Sequence, residues 1–455
     1  MNDLTSRRSS AIRNIMLLAA VFFMFVGPVL NIFGNLYLNS THLYLVAVLA
    51  FAFFIRAMRE AKVGLDYGLV FSLWLVAFCY ILLVTMFVAD YSALFDFLFM
   101  LCAISASFML AKLFVTYRPN DFLEVFFRFC FYCCIIWAVT IFLSYVFPSF
   151  RAWMDLLFFR DDSRGEHLVM LRVPAFHPMG GDGASLNFSL LILIASGYLW
   201  FLSGLQRFLV ACALVVCLLT SLLSARSGFI ICVPLLFASY LLAFRGHLVT
   251  KVMGTTLVLV VLMFSYIWMS PSFESYMYSS VADNGYEHPI SRALITLNQF
   301  SRGGASATTV GTLRQMIIFP DDTADLVFGS GEFSRYLRSS FDRGGSDIGY
   351  IILLNGAGII GSIFTYLIFI APVFALFFAR SRFIKKNAIA GDNRVVALLV
   401  LMMIFSFVGH FKTMYILTGY FNLMYFTSFF VFMSFLKNVN LNRARMGADN
   451  DVAYC

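Results

Sequence analysis

Few residues of this chain could do chemistry, and Arg226 is the sharpest of them. Between Phe208 and Phe244 it is the only charge, set in Leu223-Ser224-Ala225-Arg226-Ser227-Gly228, and it divides the stretch into two helices of nearly equal length. A charge so close to hydrocarbon is costly unless it is paired or used. Its small neighbours let another group approach the backbone, and a guanidinium can hold a phosphate through two parallel hydrogen bonds. Simple snorkelling at a tight hairpin is the competing reading.

Other candidate chemistry fades on inspection. Cys79, Cys102, Cys130, Cys133, Cys134, Cys212, Cys217 and Cys232 fall in apolar runs and Cys455 in the tail, so the outer loops have no disulfide framework. Cys130-x-x-Cys133-Cys134 stands among Phe, Trp and Ile, where thiols pack as small apolar groups. His42, His167, His177, His247, His288 and His410 are scattered, with no H-x-x-x-H or H-E-x-x-H to set two on one helix face for a metal. The doublets Asp161-Asp162 and Asp321-Asp322 read as solvated turns, because adjacent side chains in a loop point apart. No metal site is expected.

The elements that must position Arg226 are set by composition. The 455 residues are 61% hydrophobic and only 12% charged, about half the charge of a soluble domain. That excludes a water-soluble enzyme, a disordered chain and a disulfide scaffold. About twelve apolar runs are long enough to cross some 30 Å of hydrocarbon: 15–33, 36–55, 68–88, 93–115, 125–147, 186–202, 208–223, 229–244, 253–270, 358–379, 395–411 and 414–436. The expectation is an all-α polytopic membrane protein. The first run lacks a small-residue cleavage site, so it is kept as a span rather than a signal peptide.

Sidedness follows from lysine and arginine. Twenty of the 32 fall on the side of the N-terminus and twelve on the other, while acids divide eight to sixteen. Both termini are therefore expected in the cytoplasm, and the net charge of +8 is the sum of +12 inside and −4 outside. It is a topology signal, not a nucleic-acid-binding surface. Of the twelve outer basic residues eleven are arginine. This suits a phosphorylated ligand as well as Arg–Asp pairs that order the loops. The domain reading is a cytoplasmic N-terminus at 1–14, a transmembrane domain at 15–436 with long outer loops at 148–185 and 271–346, and a cytoplasmic tail at 437–455. Loops so long carry function more often than mere connection. The second, with Gly303-Gly304, Gly329-x-Gly331 and Gly344-Gly345, is too polar for its own core and is expected to lie over the membrane domain, with short helices at 289–300 and 311–318.

The Leu-Ser-Ala-Arg-Ser-Gly hairpin, the long outer loop and the following Ser346-Asp347-Ile348-Gly349-Tyr350 with Gly356-x-Gly358-x-x-Gly361 resemble the O-antigen polymerase and ligase superfamily. These are integral-membrane glycosyltransferases of the GT-C type that use undecaprenyl-pyrophosphate-linked sugars. The resemblance implies pyrophosphate-binding roles for Arg226, for Arg314 ahead of Gly329-Ser330-Gly331, and for Arg172 upstream of Met179-Gly180-Gly181-Asp182-Gly183. Where the ligase branch has a His-Asn pair, this chain has Ser346-Asp347, which favours the polymerase branch.

What the resemblance implies is transfer of a growing glycan from undecaprenyl pyrophosphate to a new lipid-linked repeat unit at the periplasmic face of a bacterial inner membrane. Asp347 is the first candidate general base, with His177 and Asp182 behind it, and no cofactor is called for. Implied partners are lipid-linked oligosaccharides, membrane lipid and a chain-length regulator protein. Two alternatives remain: an O-antigen ligase acting on lipid A core, and a lipid-linked oligosaccharide flippase. A transporter would carry its ionisable residues inside helices near the midplane, whereas here nearly all lie in loops.

Overall fold

The computed structural model describes residues 2–32, 36–39, 65–88, 90–158, 181–243, 317, 319–320, 322–333, 348–384, 392–411 and 415–452. In order these form α1 (Asn2–Phe25), β1 (Val29–Ile32), β2 (Leu36–Asn39), α2 (Leu65–Met86), α3 (Ser92–Tyr117), α4 (Phe122–Val146), α5 (Pro148–Leu157), α6 (Gly181–Ala195), α7 (Gly204–Ser221), α8 (Arg226–Ala243), α9 (Thr323–Phe328), α10 (Gly349–Ile384), α11 (Asp392–His410) and α12 (Gly419–Val452). Short 3-10 turns at Ser196–Trp200 and Tyr415–Leu417 extend α6 and precede α12. Eight of the described helices are long and apolar enough to cross a membrane, and Ala11–Phe25 and Ser227–Leu242 are shorter apolar helices. Their outward faces carry Leu75, Leu83, Phe142, Phe208, Leu219, Phe374 and Phe378. Apolar surface on this scale marks a polytopic membrane protein, because only lipid covers it without cost.

Two expectations are corrected at the start of the chain. The first span was read as running to residue 33, but α1 ends at Phe25 because Gly27 takes a left-handed φ of 57° and Pro28 has no N–H to continue the ladder. The second was read from residue 36, yet residues 36–39 are strand β2, paired with β1. The described chain is therefore helical with one two-stranded sheet. The rest of that run, the run at 253–270 and the loop helices at 289–300 and 311–316 lie outside the described residues.

The chain divides into two compact units, residues 1–28, 38–133 and 318–455 in the first and 29–37 and 134–317 in the second. In the first, α3 packs along α12 and α10 along α2. Phe369 of α10 is ringed by Phe421, Tyr425 and Phe426 of α12, and the Tyr425 hydroxyl donates to its carbonyl at 2.5 Å. The Trp74 indole of α2 donates to the Phe97 carbonyl of α3 at 2.8 Å, so the aromatic bulk is placed by polar anchors as well as by contact.

Opposite ends of α2 meet different parts of the chain. At one end Asp66 pairs with Lys437 of α12. At the other, Gly331 comes up against the backbone of Val84. Eighteen residues of helix separate the two positions, about 27 Å. The close of the 271–346 loop and the root of the C-terminal tail thus lie a membrane's thickness apart.

Within the second unit, α6 and α8 are the most closely packed pair, with α7 against both. The Trp137 ring of α4 stacks on Phe188 of α6 at 5.0 Å.

Candidate functional site

Arg226 is the first residue of α8, where the chain re-enters a helix after a tight turn. Leu222, Leu223, Ser224 and Ala225 each donate their N–H back to the end of α7, at 3.0 to 3.1 Å. The hairpin reading of Leu-Ser-Ala-Arg-Ser-Gly agrees with this geometry. The small residues do a definite job. The Ser185 hydroxyl of α6 donates to the Ala225 carbonyl at 2.6 Å, and a Cβ on Gly228 would overlap the Ser185 backbone carbonyl. Only glycine lets the two helices approach this closely.

The same approach continues down both helices in a fixed register. Gly228 meets Ser185, the Cys232 thiol donates to the Ser189 carbonyl at 3.3 Å, and the Ser239 and Ser196 hydroxyls lie 2.5 Å apart. Each pair is 43 residues apart, so α6 and α8 run parallel with their starts at one level. That register sets the backbone of Arg226 beside that of Gly183, one residue from Asp182 in the first turn of α6. Two helix starts side by side bring together the positive ends of two dipoles, an arrangement that favours anions. Asp182 and Arg226 are thus brought together in backbone position, a proximity that sequence spacing did not disclose. Arg172, His177, Arg314 and Asp347 lie outside the described residues.

The first unit contains the other motif of the resemblance. Gly329 and Gly331 have φ of 89° and 77°, and Gly358 has φ 66° and ψ −174°, a conformation that breaks α10 into two helices. The break strands the carbonyls of Asn355 and Gly356. Ser330 donates its N–H (2.9 Å) and its hydroxyl (3.0 Å) to the first, and Gly331 donates its N–H (2.9 Å) to the second. A Cβ on Gly356 would strike the ring of Phe333, and one on Gly358 the backbone of Gly329. Tyr80 of α2 donates to the Phe328 carbonyl at 2.8 Å. The two glycine motifs, 329–331 and 356–358, are therefore two halves of one latch that fastens the end of the long loop to a broken helix. The second helix of α10, from residue 359, is about 39 Å long and sufficient to span.

The remaining polar candidates take structural places. Asp322 caps α9, accepting from the Ala324 N–H at 3.0 Å, so half of the Asp321-Asp322 doublet is a helix cap. Cys130, Cys133 and Cys134 are buried in α4, and no group of three potential ligands for a metal occurs among the described residues. His410 is fully buried at the end of α11, with its ring edge-on to Tyr350 at 4.7 Å.

One carboxylate was passed over. Asp96 is the only acid in α3. It lies on the stripe that also holds Ala103 and Ser107, and Ser107 donates to the Leu423 carbonyl of α12 at 3.2 Å. Asp96 is half-buried and makes no hydrogen bond or ion pair among the described residues. A lone acid inside an apolar run is a signal visible in the sequence.

No protein-family model matches the chain, and none of the curated proteins is significantly similar to it.

Proposed function

We propose that this chain is a polysaccharide polymerase of the O-antigen type, a membrane glycosyltransferase working on undecaprenyl-pyrophosphate-linked glycans at the periplasmic face of a bacterial inner membrane. The observation that carries the proposal is the parallel pairing of α6 and α8, which sets the starts of two apolar helices and the backbone of Arg226 at one level. An anion held there is a lipid-linked pyrophosphate, because α7, packed against both helices, exposes Leu205, Phe208, Leu209, Val216 and Leu219 and the substrate's diphosphate lies at the membrane boundary. The spacing between the Gly331 contact and the Asp66–Lys437 pair along α2 supports opposite sides for the long loop and the C-terminal tail. Twelve spans, cytoplasmic termini and a GT-C-type architecture belong to the same proposal.

In the proposed reaction, the hydroxyl oxygen of the incoming repeat unit attacks the anomeric carbon of the growing glycan. The bond from that carbon to the pyrophosphate oxygen breaks, and the acceptor proton passes to a base. Charge builds on the leaving pyrophosphate, and fixed guanidiniums and helix N–H groups stabilise it. Arg226 takes that role with Arg314, and Arg172 assists. Asp347 is the proposed base, since a carboxylate in hydrogen-bond reach suffices.

The deciding experiment gives the purified, lipid-reconstituted protein only lipid-linked repeat units. A ladder of products supports polymerisation, whereas unextended substrate removes it in favour of a ligase or a flippase.

A further inference from the structure

The helix α5 has no part in that chemistry, and its surface is built for a different partner. α4 is an apolar span ending at Val146. Phe147 then adopts an extended backbone (φ −114°, ψ 101°), and Pro148 opens α5. Proline has no N–H to extend the ladder of α4, so the chain leaves the spanning axis at the edge of the apolar run. The ten residues of α5 measure about 15 Å, half of what a crossing requires. The helix is thus tied by one residue to the end of a membrane span and is too short to be one.

Its sides are chemically distinct. Met154 is 2% exposed and marks the side on which α5 lies against the rest of its unit, where it packs near β1. Phe150 and Leu157 are half-buried on that same side. At about 100° per residue, Trp153 and Leu156 fall together on one flank, and Arg151 and Asp155 fall together about 150° around on the other. Trp153 is 54% exposed and Leu156 73%. One flank is therefore open and apolar, the opposite flank charged, and the side between them seated on protein.

We infer that α5 is an interfacial helix that lies in the membrane–water boundary, with Trp153 and Leu156 in phospholipid and Arg151 and Asp155 toward water. Its continuity with the end of α4 fixes its level, and the flank assignment fixes its rotation. Tryptophan suits that level, since its ring is apolar and its N–H finds water or headgroup oxygens. Helices of this kind sit about 5–10 Å deep, at the junction of headgroup and acyl chain. The inference is independent of the proposed enzymatic activity.

The test uses the full chain in phosphatidylcholine nanodiscs, whose two faces are both open to solution. The fluorescence of Trp153 is obtained as the difference between wild type and Trp153→Phe, because the chain has five tryptophans. The expected result is a larger loss of that component with lipids brominated at carbons 6 and 7 than at carbons 11 and 12, and little loss with aqueous iodide. Quenching by iodide alone would place the flank in water, and quenching by neither agent would place it against protein; either result overturns the inference. Should Trp153→Phe fail to fold, Leu156→Trp in the wild-type chain adds a reporter on the same flank, and the same outcomes apply.

Discussion

Replacing Gly228 by alanine tests the closest contact of the candidate site. The added methyl would sit 2.7 Å from the Ser185 hydroxyl oxygen and closer still to its carbonyl, against about 3.4–4 Å for ordinary contact between such atoms. The obstacle is backbone, so it cannot rotate away, and α6 and α8 must part by about 1 Å. Overpacking of this kind costs about 1–3 kcal/mol. The Ser185–Ala225 hydrogen bond, stretched by the same movement, contributes about 1 kcal/mol more. A destabilisation of about 2–4 kcal/mol is expected. Gly68 supplies a matched control, since nothing lies within 4 Å of a Cβ built there and it stands in helix α2. Alanine at 68 should stabilise by about 0.5–1 kcal/mol, through helix propensity alone. The assay is the thermal unfolding midpoint in detergent, with the length distribution of surface polysaccharide as the functional readout. The midpoint should fall for Gly228→Ala and hold or rise for Gly68→Ala. Equal midpoints for the two variants would refute the close pairing of α6 and α8, and with it the shared level of their starts.

Arg226→Ala and Arg314→Ala should leave protein abundance intact while collapsing surface polysaccharide to a single repeat unit, with lysine at either position restoring little; a normal ladder from stable Arg226→Ala would remove that residue from the mechanism. Asp347→Asn should abolish extension of lipid-linked repeats in vitro, and retained extension excludes a required carboxylate there. Asp96→Leu should keep or raise the unfolding midpoint, because it removes a half-buried charge with no partner among the described residues, and a sharp fall would show that Asp96 is structurally paired. Asp182→Asn should weaken thermal stability by about 0.3–1 kcal/mol through loss of a charge near a helix start and leave extension measurable; complete loss of extension in a stable variant would instead make Asp182 a base.

The spans were legible where a property of the local sequence decides them. Transfer of some twenty apolar residues into lipid needs no tertiary partner, so α2, α3, α4, α7, α8 and α11 begin and end within a few residues of their apolar runs. At 25–39 local backbone chemistry overrode that signal: Gly27 and Pro28 stop α1, and Val29–Ile32 pairs as a strand although its hydropathy suits a span. Gly356-x-Gly358 could be read as a motif, but not as one half of a latch, since its partner is 25 residues upstream across the end of a polar loop. Arg226 could be placed at the turn between two apolar helices, though not as the first residue of the second. Its proximity to the start of α6 could not be read, because it depends on a register of 43 residues held by Gly228, Cys232 and Ser239.

That register has an electrostatic consequence. Antiparallel neighbours set the positive end of one helix beside the negative end of the next, whereas parallel neighbours set like ends together. Two successive spans cannot be parallel unless the chain returns between them, and here α7 makes the return on the lipid side, with Leu205, Phe208, Leu209, Val216 and Leu219 exposed. The Tyr240 hydroxyl of α8 donates to the Ala211 carbonyl at 2.9 Å, which holds α7 in that outer position. The arrangement sets the positive ends of α6 and α8 at one level, at the backbone of Arg226. In the proposed reaction, an anion with two negative groups would meet both helix starts together. In the proposed function, a diphosphate would relieve the electrostatic cost of setting these two like helix ends together.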